Sequence, residues 1–327
     1  MSGSTTWRGV SSDERVLRPA AVTAAAPSGV WVVVVNYNTA ELLERCLTAL
    51  RESVLDRACT VFVVDNGSQD GSVQLVHDRF PEVVLLEIGK NVGFARANNL
   101  ALRRIVALVP VGALREHAVL LLNTDCFVEP DTLQRLVDVL DRESDVAIVG
   151  PKLVLPDGRL DLACRRSFPT LGSALWKLTG LARLFPRSRW FARYNLTFHD
   201  PDEPLDVDAV SGACMLVRLQ AVAEVGLLDE AYFMYGEDLD WAYRIKARGW
   251  RVRYEPRARA VHLKGGSWGR RDPRVLWEFY RAMALFYRRH YAPRQPRLVR
   301  GVVYAAIGVR FGLALAALGA RRLVRRR

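Results

Sequence analysis

At 327 residues, half of them hydrophobic and a quarter charged, the chain can bury a substantial core in one large domain or two smaller ones, which excludes a mainly disordered protein. Five cysteines, an odd number without CxxC spacing, exclude a disulfide framework and a structural zinc site and point to a reducing, cytosolic setting. The formal charge of +12 is concentrated: Gly266 to Arg327 carries 15 Arg against Asp272 and Glu278, while residues 1–265 hold 32 basic and 33 acidic groups, so no basic groove for nucleic acid is expected in the main domain.

Residues 1–28 read as a flexible tail. A basic segment before an Ala-rich patch imitates a signal peptide, but Pro19, Thr23, Pro27 and Gly29 interrupt any apolar core of the required length. Val30 to Val35 is a β-branched apolar run, and Leu42, Leu43, Cys46, Leu47 and Leu50 then recur at helical spacing. Asn38 with Glu41 has the spacing of a capping box. The alternation continues with a strand at Thr60 to Val64, a turn at Asp65 to Gly71, a helix near Ser72 to Phe80 and a strand at Val83 to Glu87. A loop at Ile88 to Gly93 leads to a helix reaching about Val109 and a strand at Ala118 to Leu122. Such βα alternation predicts an α/β, Rossmann-like, mostly parallel sheet with helices on both faces. Beyond Pro151 the pattern loosens: a Pro156-Asp157-Gly158 turn, an irregular stretch to about Pro204, and a strand at Ala213 to Val217. Glu237 to Arg248 is a helix, Arg251 to Tyr254 a strand, and Ala260-Val261 ends another.

Ligands of parallel sheets collect beyond the carboxyl ends of the strands, and the residues there are unusually polar. Asn36-Tyr37-Asn38, Asp65-Asn66-Gly67-Ser68 and Asn123-Thr124-Asp125 each follow a strand. The last tripeptide offers oxygen ligands to a hard cation, or a turn whose Asp caps the helix near Asp131. Gly236-Glu237-Asp238-Leu239-Asp240 opens a helix with three carboxylates; Asp240 has the spacing of an ion pair with Arg244, whereas Asp238 has no evident partner. Glu237 and Asp240 crowd Asp238 while the helix terminus favours its charge, so its pKa can move either way. His262 follows a strand and precedes Lys264-Gly265-Gly266-Ser267; it is either a packed imidazole or a ligand beside an anion-approaching backbone. Neither GxGxxG nor GxxxxGK[ST] occurs.

Taken in order, VVVVNYN (32–38), VDNGSQDGS (64–72), NVGFARANN (91–99), NTDCFVEP (123–130), SGACMLVR (211–218) and GLLDEAYFMYGEDLDWAYR (226–244), closed by His262, resemble the family 2 glycosyltransferases of the GT-A fold, closest to their rhamnosyltransferase-like branch. The resemblance implies domains at 29–267 and, as a helical basic extension, 268–327. It also implies a nucleotide diphosphate sugar donor bound by Asn36, Tyr37, Asp65, Gly93, Arg96, Asn98, Asn123 and Thr124, and a divalent metal (Mg2+ or Mn2+) held by Asp125 and His262. Asp238 matches the catalytic base. Asn123 departs from the first Asp of the family's DxD, removing one anionic ligand. The implied activity is an inverting transfer of sugar, such as rhamnose from a dTDP donor, to a glycan or polyprenyl-linked acceptor in cell-surface polysaccharide synthesis. A nucleotidyltransferase and a catalytically silent nucleotide-sugar-binding protein are the competing readings.

Gly301 to Ala320 is apolar apart from Tyr304 and Arg310 and long enough to span a bilayer, but a central Arg disfavours spanning by about 2.5–3.5 kcal/mol. At about 100° per residue, Arg297, Arg300, Arg310, Arg321 and Arg322 share an arc of roughly 140°, with Val302, Val309, Leu313 and Leu315 assigned to the other side. The extension is therefore expected to lie on an anionic membrane surface, making the protein cytoplasmic and peripheral on the inner face of the cytoplasmic membrane.

Overall fold

The computed structural model describes residues 15–17, 28–264 and 272–325. Gly265, Gly266 and Ser267, the 267/268 boundary and most of residues 1–28 lie outside them. Within the tail, Arg15–Leu17 (β1) pairs antiparallel with Leu85 to Glu87.

The chain then alternates as the apolar runs dictate: β2 (Gly29–Asn36), α1 (Ala40–Arg51), β3 (Ala58–Asp65), α2 (Ser72–Arg79), β4 (Val84–Glu87), α3 (Phe94–Leu108) and β5 (His117–Asn123). Strands β4, β3, β2 and β5 lie side by side and parallel. Val30, Val32, Val33 and Val34 are buried between helices on both faces, which is why β2 reads as a continuous rather than alternating apolar run. The register sets Asn36 opposite Asp65 and Val35 opposite Asn123, so three polar strand ends share one edge.

The second half is mixed. It contains β6 (Cys126–Val128), α4 (Thr132–Arg142), β7 (Val146–Val154), α5 (Leu171–Thr179), α6 (Leu181–Leu184), β8 (Leu205–Val207), β9 (Cys214–Arg218), α7 (Leu219–Val225), α8 (Glu237–Lys246) and β10 (Arg251–His262). Strand β9 runs antiparallel between β5 and β7, and β10 lies beyond β7 with β6 and β8 on its outer edge. The stretch expected to be irregular before Pro204 thus contains α5 and α6, with a capping box at Thr170 and Ser173. Strand β10 is one element where the sequence suggests two. Pro256 cannot donate to the ladder, and the pairing with β7 shifts register between Glu255 and Arg259 to absorb it.

The expected capping box at Asn38 does not form. Asn38 adopts φ 52°, and its Oδ1 accepts from the Gln69 N–H at 2.7 Å. Helix α1 is capped from a distance instead: Asp70 Oδ2 accepts from the Ala40 N–H at 2.8 Å. The chain ends in α9 (Pro273–His290) and α10 (Arg297–Arg325).

Candidate active site

The ends of β2 and β3 carry a closed hydrogen-bond network. Asn36 Nδ2 donates to Asp65 Oδ1 at 3.0 Å and to Ser68 Oγ at 2.9 Å, while Asp65 Oδ2 accepts from the Gly67 and Ser68 N–H groups at 3.2 and 2.9 Å. Thr39 Oγ1 donates to Asn36 Oδ1 at 2.7 Å and lies 3.0 Å from Thr124 Oγ1. Tyr37 is half-buried beside this network, whereas Thr124 is buried within it.

Gly93, Arg96 and Asn98 reach the site unequally. Gly93 has φ 88°, and a Cβ there would meet Phe233 O at 2.6 Å; the adjacent Phe94 N–H donates to that same oxygen at 2.7 Å. Asn99, which the motif reading passed over, exchanges hydrogen bonds with the Leu228 backbone at 2.8 and 3.1 Å. Together they fasten the start of α3 to the loop before α8. Asn98 turns its amide to Phe94 O at 2.9 Å, leaving its buried Oδ1 without a hydrogen bond among the described residues. Arg96 is exposed and 3.8 Å from Glu230.

Asp125 does not cap the following helix. Asp131 occupies that position, and Asp125 sits in the tight turn between β5 and β6. Because Cys126 pairs with His262 across β6 and β10, the imidazole comes beside it: His262 Nε2 is 3.5 Å from Asp125 Oδ1. The other ring nitrogen, Nδ1, is 2.8 Å from Asp161 Oδ2, and Lys264 Nζ donates to Asp161 Oδ1 at 2.6 Å. Burial opposes the imidazolium, but hydrogen bonds to Asp125 and Asp161 outweigh it and carry the His262 pKa up to about 9. Burial likewise opposes the Asp161 carboxylate, and its bonds to His262 and Lys264 bring its pKa well below the usual value. Asp161 follows an unremarkable turn, and no sequence signal ties it to a histidine 101 residues away.

Asp238, at the start of α8, accepts through Oδ2 from Arg166 Nη2 at 2.6 Å and from the Gly212 N–H at 3.0 Å. Ala213, next in the chain, accepts the Asn123 N–H at 2.9 Å, so Asp238 and the Asn123-to-Asp125 turn flank one short backbone segment. Arg166 is the partner that the sequence did not reveal. Crowding among the α8 carboxylates is expressed at Glu237, where burial, followed by the Asp238 charge, raises the pKa to about 8. Asp240 is structural, as its spacing suggests: it binds Arg244 at 2.8 Å and also His290 of α9 at 2.7 Å.

The family model described as glycosyl transferase family 2 matches residues 31–226. The chain belongs to that family. It is 33% identical over 244 residues to the N-acetylglucosaminyl-diphospho-decaprenol L-rhamnosyltransferase of Mycobacterium tuberculosis, an alignment covering 74% of this chain and 78% of the relative. Among solved structures, it resembles the mannosyltransferase PcManGT from Pyrobaculum calidifontis in complex with GDP-Man and Mn2+ (TM-score 0.51, 19% identity, 89% of this chain and 73% of that one). It also resembles GalNAc-T7 with UDP, GalNAc and Mn2+ (TM-score 0.54, 15% identity, 78% of this chain), spanning 47% of that longer chain. The GT-A fold is common to these neighbours, and this family 2 glycosyltransferase carries it with a helical C-terminal extension.

The donor atoms of this family 2 enzyme suit a divalent cation. Asp125 offers a carboxylate and His262 an Nε2 whose partner nitrogen is fixed by a buried carboxylate, the usual support of a ligating imidazole. The buried Asn123 Oδ1, without a hydrogen-bond partner among the described residues, adds a neutral oxygen on the same turn. No group of three or more His, Cys, Asp and Glu suited to a metal occurs among the described residues, so Asp125 and His262 alone do not close a metal shell.

Proposed function

We propose that this glycosyltransferase moves a sugar, rhamnose from a dTDP-linked donor, to a hydroxyl of a prenyl-diphosphate-linked glycan, with inversion, in the building of a cell-surface polysaccharide. The observation that carries the reading is that Asp238 and Asn123 bond neighbouring backbone groups of Gly212 and Ala213, which supports a carboxylate base working beside the Asn123-to-Asp125 turn. The mycobacterial relative, whose name specifies a rhamnosyl transfer to a lipid-linked diphosphate, supports the choice of sugar and acceptor.

In this mechanism Asn36, Tyr37 and Asp65 bind the base and nucleoside, with Gly93, Arg96 and Asn98 at the start of α3. Asp125 and His262 would hold Mg2+ or Mn2+, with Asn123 alongside. When bound, that cation offsets the negative charge that grows on the departing diphosphate. Asp238 accepts the proton of the attacking hydroxyl, and the Arg166 guanidinium and Gly212 N–H hold Oδ2 so that the carboxylate keeps one orientation. Helix α10, which is long and apolar enough to cross a membrane by length and composition, rests on the inner face of the cytoplasmic membrane and brings the site to its acceptor.

The test is release of nucleoside diphosphate from a panel of nucleotide sugars that includes dTDP-rhamnose, with Mn2+ and a short-chain prenyl-diphosphate N-acetylglucosamine acceptor. Release of dTDP, accelerated by the acceptor and stopped by EDTA, is expected. Release from none of the donors overturns the transferase reading for these substrates, and full speed in EDTA overturns the metal.

A further inference from the structure

Helix α9 lies beyond the residues that the family model matches, yet one side of it closes over the stretch that carries Asp238. Ala282 and Leu285 are buried with Tyr232, and Phe279 meets Tyr235 edge-on with ring centroids 5.8 Å apart. A Cβ placed on Gly236, the cap of α8 at φ 83°, would stand 3.3 Å from the Ala282 methyl, so glycine lets α9 come this close to the cap. Arg289 forms an ion pair with Asp229 in the same loop. His290 ends the row: its Nε2 is 2.7 Å from Asp240 Oδ1, and its ring centroid lies 4.2 Å from that of Tyr243 and 4.7 Å from that of Phe286. At about 100° per residue, these α9 side chains fall within an arc of roughly 140°. Trp277, Tyr280 and Tyr287, which hold α10, fall on the other side of the helix.

Asp240 is fully buried, and a carboxylate so placed is costly unless its oxygens are partnered. Oδ2 accepts from Arg244 Nε at 2.8 Å, a bond within α8 itself, whereas His290 ties Oδ1 to a second helix. The Asp240 N–H donates to Gly236 O at 2.9 Å in the same first turn that bears Asp238, so a shift of that turn carries Asp238 with it. Both Asp238 oxygens are aimed by local donors, Oδ1 by the Leu239 N–H at 2.7 Å and Oδ2 by Arg166 and Gly212. The Arg166 segment leans on α9 as well: Phe168 lies 4.9 Å from Tyr243 and 6.4 Å from Phe286, centroid to centroid. Helix α9 thus steadies both the turn that bears Asp238 and the segment that supplies its guanidinium partner.

We propose that His290 is a positioning residue for Asp238: through Asp240 it holds the first turn of α8 at the angle from which the Asp238 carboxylate meets the acceptor hydroxyl. This rests on the reading of Asp238 as the base. The C-terminal extension then orients the base through one side of α9 while carrying α10 on the other.

The test measures kcat and donor KM on the full chain with His290→Ala, His290→Phe and His290→Gln. The Phe variant keeps a ring against Tyr243 and Phe286 but has no N–H, and the Gln variant keeps an N–H donor. Both Ala and Phe variants should lose about 10- to 100-fold in kcat, the effect of a slightly misplaced reacting group, with donor KM within about twofold of wild type. His290→Gln should recover most of that loss. In the Asp238→Asn background, His290→Phe should lower kcat no further, because the residue through which it acts is already disabled. Wild-type kcat in His290→Phe overturns the proposal, as does a Gln variant no better than the Phe variant. A loss of undiminished size in the Asp238→Asn background also overturns it, marking His290 as structural only. If the Ala variant does not fold, the Phe and Gln variants decide. Failure of the base reading is separate: Asp238→Asn alone then turns over near normally, whatever the His290 variants do.

Discussion

Asp161 changes what His262 can do. With Nδ1 held at 2.8 Å, the imidazole has a fixed orientation and a pKa of about 9, so at neutral pH it must shed a proton before Nε2 can ligate. Metal binding measured by calorimetry should therefore tighten as pH rises, by about tenfold per unit below 9, and level off above it; a flat profile between pH 6 and 8 would remove His262 from the metal site. Asp161→Asn should weaken Mn2+ by about 10- to 100-fold, the usual cost of losing such a support, with an unchanged far-UV spectrum. For Asp238→Asn the expectation is a kcat lower by about 10²- to 10⁴-fold with donor affinity nearly unchanged. Near-normal turnover would exclude Asp238 as base. The carboxylates at 125 and 238 and the histidine at 262 could be singled out as candidates because each follows or ends a strand or opens a helix. Asp161 and Arg166 were not, because their roles exist only through partners 101 and 72 residues away.

At the scale of elements, the first βα half was readable because each strand is a buried apolar run and each helix shows a 3.6-residue stripe. The second half was harder. Strands β6, β7 and β8 left no distinct mark on the reading, and β10 hides a proline inside one long strand that changes outer partner from β8 to β6. Cap prediction failed at Asn38 because the cap comes from Asp70, across a turn that only the fold brings near. Gly93 shows the reverse case, where local sequence and tertiary contact agree. A side chain there must adopt φ 88° and push against Phe233 O, so Gly93→Ala should cost about 1–3 kcal/mol in denaturant unfolding and weaken nucleotide binding. Stability and affinity equal to wild type would mean that the α3 start and the Phe233 loop need not touch.

In the whole molecule, the extension is fastened to the catalytic domain through α9, whose His290 bonds Asp240, and α10 packs on α9. Phe311 packs edge-on against Trp277 and Tyr280, and Tyr304 against Tyr287, so α10 rests on α9 through these aromatic side chains. Leu298, Val302, Val309 and Leu313 form the exposed stripe opposite, and Leu315 falls outside it by helical spacing. Arg297 and Arg310 are exposed as well, so the open surface of α10 presents both apolar side chains and arginines. A chain ending at Tyr291 keeps the His290–Asp240 bond and should retain donor binding, yet lose flotation with anionic liposomes. Equal flotation of the two chains at low and high salt would dismiss α10 as the membrane contact. The seam between α3 and the loop before α8 has a further consequence. Phe94 to Phe233 and Asn99 to Leu228 join the start of α3, proposed above to receive the nucleotide, to the loop leading into Asp238, so the two cannot shift independently. If nucleotide stiffens one, it stiffens the other, and linkage then requires an acceptor that binds the loop to strengthen donor binding by the same factor that the donor strengthens acceptor binding, whichever arrives first.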